Sequence, residues 1–446
     1  MRSTEYACRN FADIRFGKEH NSITRSPVLS PGDSFNPEVM AMIRTPAAVA
    51  AAALLVSIVL ATGSTPAMAT VGPVASKAFT TAQAVTGDDA TLTGLTCVSK
   101  SRCLTAGFYI ARAEGSIFGL SEVFNGHSWG TLTVSGLATK ADVTDALEVS
   151  CGAPTNCMIV GEHYNNPKLP VQFADTLRTV WTPVKWTNPA GAKWSVLDDV
   201  KCVGASFCMA IGTFSKTSGG GRALAEQWNG HSWRRLTTPN PAGAHLSDLS
   251  ALYCQSATDC QAVGVGRNSA GHLFSFGEHW DGTGWTLGKI PNVHGRNNVL
   301  NDVACFASGD CIAVGNTSTS ASQRPLVISL HAGVWNIART PSLPRSAALN
   351  GVSCPTSTFC VAAGFAGRGP LAEIWNGVKW ALFTVAHTPT RALRHNDSLQ
   401  HVICVSITHC EAAGFTYNAA RPRIGNHTLI EEWNGKGWRI QASVNP

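Results

Sequence analysis

Fourteen cysteines recur as seven pairs, and the two members of every pair are separated by five residues: Cys97/Cys103, Cys151/Cys157, Cys202/Cys208, Cys254/Cys260, Cys305/Cys311, Cys354/Cys360 and Cys404/Cys410. Paired thiols can close a disulfide in oxidising surroundings or contribute to a tetrahedral metal site. Structural zinc sites draw on cysteines about two to four residues apart, joined by a second pair or by histidines. Here the spacing is always five and no histidine follows at a fixed offset, so the pairs read as disulfides, and no metal or other cofactor is implied. Each bridge would close a loop of seven residues. That is worth about 2 kcal/mol in freedom removed from the unfolded chain.

Acid chemistry is the next possibility. Glutamate recurs in Glu-x-Trp-Asn-Gly-x-x-Trp, complete from Glu226 to Trp233, Glu373 to Trp380 and Glu431 to Trp438, with near-copies starting at Glu122 and Glu278. Two units lack it, carrying Ala174 and Ile328, and those units lose Trp-Asn-Gly as well. Residues that vanish together behave as one structural element, so these glutamates are expected to pack or hydrogen-bond rather than catalyse. The other acids, among them Glu162, Asp175, Asp198, Asp199, Asp302 and Asp310, do not assemble in sequence into the two carboxylates, about 5 to 10 Å apart, of a glycosidase.

Residues that do not repeat are the better candidates for a ligand. Trp186 and Trp194 fit no repeat position, and exposed tryptophans can serve as carbohydrate platforms. The link from Trp380 to Cys404 is the longest of its kind and contains His387, Arg391, Arg394, His395, Asp397 and His401. The stretch from Gly414 to Glu431 carries Arg421, Arg423 and His427. Either loop could form a cationic pocket for an anionic glycan or carboxylate.

These residues need a scaffold, and the repeat supplies its plan. The first cysteines of successive pairs are 54, 51, 52, 51, 49 and 50 residues apart, room for about four short strands and their turns. Asn-Gly between aromatic-bearing segments signals a tight hairpin, through residues that tolerate positive φ. A glycine four residues after each second cysteine (Gly107, Gly161, Gly212, Gly264, Gly315, Gly364 and Gly414) points to positive φ or a close backbone approach at a bulge or turn. The closing tryptophans Trp129, Trp181, Trp233, Trp285, Trp335, Trp380 and Trp438 survive in every unit, as packing between neighbouring sheets requires. No long segment after residue 90 shows the apolar period of a helix. An all-β, seven-bladed β-propeller over residues 94–446 follows, with four short antiparallel strands and one disulfide per blade, because ring closure removes most exposed sheet edges.

Ahead of the repeats, residues 40–69 read as a secretory signal peptide. Arg44 precedes an apolar run from Ala47 to Ala61, and Ala67-Met68-Ala69 follows as a cleavage site. The apolar core is 15 residues, short of the roughly 20 that span a bilayer. Residues 1–39 read as a leader or a start assigned too far upstream, which removes the fifteenth cysteine, Cys8, from the mature chain. Residues 70–93 are a weakly patterned linker in which Ala78 to Ala84 could add a ring-closing strand. From residue 70 the chain holds 28 Lys/Arg and 23 Asp/Glu, a mild excess without the dense basic clusters of a nucleic-acid partner.

In its Leu-x-x-Val-Ser-Cys, Cys-x-Ala-Val-Gly and Glu-x-Trp-Asn-Gly-x-x-Trp segments, the chain resembles a group of secreted β-propeller proteins common in high-GC actinobacteria. The match spans residues 94 to 440. This resemblance implies fold and export and brings no site residues with it. The Asn-Gly-x-x-Trp hairpin also resembles the Asp-box turn of sialidase propellers, but the full Asp-box and a sialidase arginine triad are missing. Two classes of function follow: a secreted binding or scaffold module for an extracellular glycan, protein or small ligand, or an extracellular polysaccharide hydrolase or lyase.

Overall fold

In a computed structural model the described residues are 89–444, except 112–115, 135–142, 155, 166–168, 178–180, 218–219, 344–345, 386–394 and 419–424. They form 28 strands in seven consecutive groups of four: Ala90–Thr133, Val143–Pro183, Trp194–Leu236, Ala244–Gly288, Asn297–Ile337, Ala347–Phe383 and His395–Gln441. Within each group the strands pair antiparallel in chain order. The chain is therefore a seven-bladed β-propeller, and among the described residues no helix is long and apolar enough to cross a membrane. The first strand starts at Ala90, four residues ahead of the boundary expected from the repeat, because Ala90 to Leu92 still pair with Gly107 to Tyr109. Ala78 to Ala84 lie outside the described residues.

The recurring motif is one transverse row across each blade. In blade four Cys254 stands opposite Cys260, Cys260 opposite Trp280, and Trp280 opposite Trp285. Blades three and seven repeat the row with their own cysteines and tryptophans, blade six repeats it from Cys360 through Trp375 to Trp380, and Phe124, Leu177 and Leu330 replace the first tryptophan in blades one, two and five. All seven cysteine pairs are disulfides: Cys97–Cys103, Cys151–Cys157, Cys202–Cys208, Cys254–Cys260, Cys305–Cys311, Cys354–Cys360 and Cys404–Cys410, with Cα atoms 3.9 to 4.1 Å apart. The first tryptophan also ties down the cysteine turn: the indole N–H of Trp280, Trp375 and Trp433 donates to the carbonyls of Ala257, Ser357 and Ile407, each at 3.1 Å.

The recurring glycine answers to close approach, not to positive φ. A bulge in the first strand of each blade interrupts the register opposite it, between Leu249 and Ala251 in blade four. A Cβ at Gly264 would lie 1.9 Å from the Asp248 carbonyl oxygen, and at Gly107, Gly212, Gly315, Gly364 and Gly414 between 2.0 and 2.2 Å from the equivalent oxygen. Positive φ belongs instead to the glycine of Asn-Gly, such as Gly230 at 95°. Its asparagine is not at positive φ; Asn229 Oδ1 caps the turn by accepting the His231 and Ser232 amides at 3.0 and 2.9 Å. Blade five has lost this cap and turns through Ala332-Gly333, which places Ala332 at φ 48°. A left-handed alanine costs roughly 1 to 2 kcal/mol. Ala332→Asn is accordingly expected to raise stability by about 1 kcal/mol, which denaturant titration would read as a higher midpoint at unchanged slope.

Blades meet face to face through apolar clusters. Between blades four and five, for example, Ala251, Tyr253 and Val263 pack on Leu300, Val303 and Leu326. The ring closes in the same way, since Leu92, Leu95 and Leu120 pack on Ile403, Ala413 and Ile430. No blade among the described residues mixes strands from the two ends of the chain. Polar ties supplement this seam: Trp129 Nε1 donates to Gln441 Oε1 at 2.6 Å, and the Asn426 amide donates to Asp89 at 2.9 Å.

Candidate functional site

The innermost strands carry the pattern Leu/Ala-x-x-Val/Leu-x-Cys, whose second variable position reads Gly94, Glu148, Asp199, Ala251, Asp302, Gly351 and His401 around the ring. These positions follow the bulge and bring ionisable groups from four blades toward the axis. Glu148, Asp199, Asp302 and His401 are fully buried, and so is all but 4% of Lys201, two residues beyond Asp199. Gly94 makes room for one of them: a Cβ there would lie 2.7 Å from Glu148 Oε1. Across that gap His401 Nε2 approaches Glu148 Oε2 to 3.8 Å.

Two of the acids are tied to a neighbouring blade. The Leu252 amide donates to Asp199 Oδ2 and the Val352 amide to Asp302 Oδ2, both at 2.6 Å. Burial pushes Asp199 up to about 7, opposed by Lys201, and drives Glu148 and Asp302 well above the usual carboxylate range. It lowers Lys201 against the pull of these acids and holds His401 well below its ordinary value, so the His401–Glu148 contact is not an ion pair at neutral pH. The set contains the ingredients of acid–base chemistry, yet none of its carboxyl groups is open to a substrate.

The recurring glutamates are buried as well. Burial lifts Glu122 and Glu278 to about 8 and Glu373 to about 7. Glu226 is paired, accepting from Arg235 Nε at 3.1 Å, whereas neither oxygen of Glu278 or Glu373 has a hydrogen-bond partner. Their folded pKa lies above the ordinary 4.5, so the folded chain binds more protons than the unfolded chain between about 4.5 and 8. Their contribution is complete below that window and lost as pH rises through it. Glu278→Gln should match the parent chain at pH 4.5 and exceed it by at least about 1 kcal/mol at pH 8.5, which thermal melts at the two pH values would show.

The cysteines offer no ligand surface. Cys103, Cys157, Cys208, Cys260, Cys311, Cys360 and Cys410, the second members of the pairs, are each 2% exposed or less. They sit on the second strand of each blade, which is covered by the first strand on one side and the third on the other. Cys202, Cys254, Cys305, Cys354 and Cys404 are buried too, and Cys97 and Cys151 are half-buried. All fourteen are staples in the blade interior rather than groups that meet a ligand.

The candidate ligand residues fall in different places. Arg391, Arg394, Arg421 and Arg423 lie outside the described residues. His395 opens the first strand of blade seven, and His427 is half-buried on its third strand opposite Thr416. The strand ends that bracket both loops lie away from the cysteine turns, because His395 pairs with Asn418 and Tyr417 with Asn426. Trp194 is no platform: it is 6% exposed and packs with Val196 and Leu246, since its strand is the innermost of blade three. Trp186 is half-buried and lies on Trp233 at the rim, with ring centroids 4.5 Å apart.

No family model matches the sequence, and no curated protein matches it. Solved structures resemble it in fold. A polysaccharide lyase, an ulvan lyase bound to -[GlcA(1-4)Rha3S]-, superposes with a TM-score of 0.51 at 7% identity, covering 77% of this chain and 92% of the other. YCF48 from Cyanidioschyzon merolae gives 0.46 at 12% identity, covering 78% and 96%. The lectin of Aleuria aurantia in complex with α-methyl-L-fucoside gives 0.39 at 11% identity, covering 68% and 97%.

Proposed function

We propose that this is a secreted binding propeller, exported by residues 40–69, that presents its non-repeating segments to an extracellular glycan, protein or small ligand. The observation that carries this reading is where the chemistry has gone. The repeated residues are spent on the transverse rows and the blade seams, and the axial carboxyl groups are sealed. Exposed side-chain chemistry is left largely to positions that differ from blade to blade, such as Arg235. Seven disulfides suit an oxidising compartment. They agree with the resemblance to secreted actinobacterial propellers and with a mature chain that begins near Thr70.

A polysaccharide hydrolase or lyase is the second reading, favoured by the acids, lysine and histidine at the axis. It needs those groups in contact with the reacting bond, and their burial speaks against that. A glycan array run beside a depolymerisation screen on the oxidised protein separates the two. Binding without bond cleavage is expected. Cleavage abolished by one carboxylate substitution would replace the binding reading with the enzymatic one.

A further inference from the structure

Blade three differs from the other six along its outer strand. Its closing tryptophan, Trp233, is half-buried, while Trp129, Trp181, Trp285, Trp335, Trp380 and Trp438 are buried. Two residues further on it carries Arg235, where the other blades carry Thr131, Pro183, Leu287, Ile337, Leu382 and Ile440. Residues two apart on a strand share a face, so Trp233 and Arg235 point the same way. Trp186, from the link between blades two and three, lies on that face at 47° to Trp233, with Trp228 behind at 5.5 Å from Trp233.

The guanidinium beside this pair is held in place. Arg235 Nε donates to Glu226 at 3.1 Å, and its Nη2 donates at 3.2 Å to the carbonyl of Thr187, the residue after Trp186. Arg235 nevertheless keeps 36% of its side-chain surface exposed while Glu226 keeps 4%. Two of its five N–H donors are used, which leaves a fork able to bind an oxyanion in bidentate fashion. Lys185, exposed next to Trp186, adds a second cation. Rigid aromatic surface lets a ligand bind at little cost in side-chain entropy.

We propose that the rim between blades two and three is a subsite for an acidic sugar, in which Trp186 and Trp233 receive the C–H face of a pyranose and Arg235 holds its carboxylate or sulfate. This rests on the binding reading above and names its ligand class. Calorimetric titration of the intact, oxidised protein with tetragalacturonate, a sulfated carrageenan tetrasaccharide and neutral cellotetraose tests it, the first two arms separating carboxylate from sulfate. At least one acidic sugar should bind about tenfold or more tightly than cellotetraose, and Trp186→Ala and Arg235→Gln should each remove about tenfold. Arg235→Lys, which keeps the charge opposite Glu226, should weaken acidic binding while leaving the melting temperature within a few degrees. Equal affinity for cellotetraose, no binding of either acidic sugar, or acidic binding unchanged in Trp186→Ala and Arg235→Lys would overturn the subsite. In the last case glycan binding itself stands, and only its place on blade three fails.

Discussion

Reduction of the seven disulfides is expected to unfold the propeller. Each bridge closes a six-residue separation at the same end of its blade, and loop closure of that length is worth about 2 kcal/mol. Seven of them rival the whole net stability of a typical domain, about 5 to 15 kcal/mol. The packing around them depends on the bridge as well, because the second cysteine stands directly opposite the first tryptophan of the row. Treatment with a thiol-free reductant should therefore shift tryptophan emission to the red and abolish the strand signal in far-ultraviolet circular dichroism. Replacing the single pair Cys254/Cys260 by alanines should cost only about 2 kcal/mol and leave a cooperative transition. A reduced chain that melts within a few degrees of the oxidised one would show that packing alone holds the blades.

Lys201→Met carries the largest single-residue effect, about 3 to 5 kcal/mol of stability. The Lys201 charge opposes the upward shift of the buried Glu148, Asp199 and Asp302 through the low-dielectric interior, although its Nζ makes no hydrogen bond or ion pair with them. Removing it leaves carboxylates with no compensating charge in a sealed interior. Those acids would then hold their protons to still higher pH, so the penalty should grow as pH rises through about 7, where Asp199 titrates in the parent chain. Asp199→Asn in the Lys201→Met background should recover part of the loss, since the amide oxygen can still accept from the Leu252 amide. Chemical denaturation of the single and double variants at pH 5.5 and 8 would measure both effects. A Lys201→Met chain as stable as the parent at pH 8 would mean the axial acids are already protonated and need no counter-charge.

Most of the architecture was legible in the chain because it is written seven times. The cysteine spacing, the closing tryptophans and the period predict the blade, and register places those residues in one row. The local reasons were less legible. Glycine after the second cysteine makes room for a carbonyl across a bulge, and the asparagine of Asn-Gly acts through its side chain, two facts that depend on pairing partners. The axial set was missed because its members come from blades two, three, five and seven and meet only when the ring closes. Its signal was present in the Leu/Ala-x-x-Val/Leu-x-Cys segments, where apolar flanks and an invariant cysteine enclose a position that changes from glycine to glutamate, aspartate, alanine and histidine. Trp186 was legible for the opposite reason, as a tryptophan that belongs to no row; Trp194 shared that signal and turned out to be core.

The division of labour between repeated and unrepeated residues is the claim on which all else rests. Calorimetric titration of one acidic tetrasaccharide against two variants measures it directly: Glu373→Gln, in a repeated position, and Trp186→Ala, outside the repeat. Affinity should be unchanged in Glu373→Gln and about tenfold weaker in Trp186→Ala. Loss of affinity in Glu373→Gln with full affinity in Trp186→Ala would contradict it and return function to the repeated glutamates.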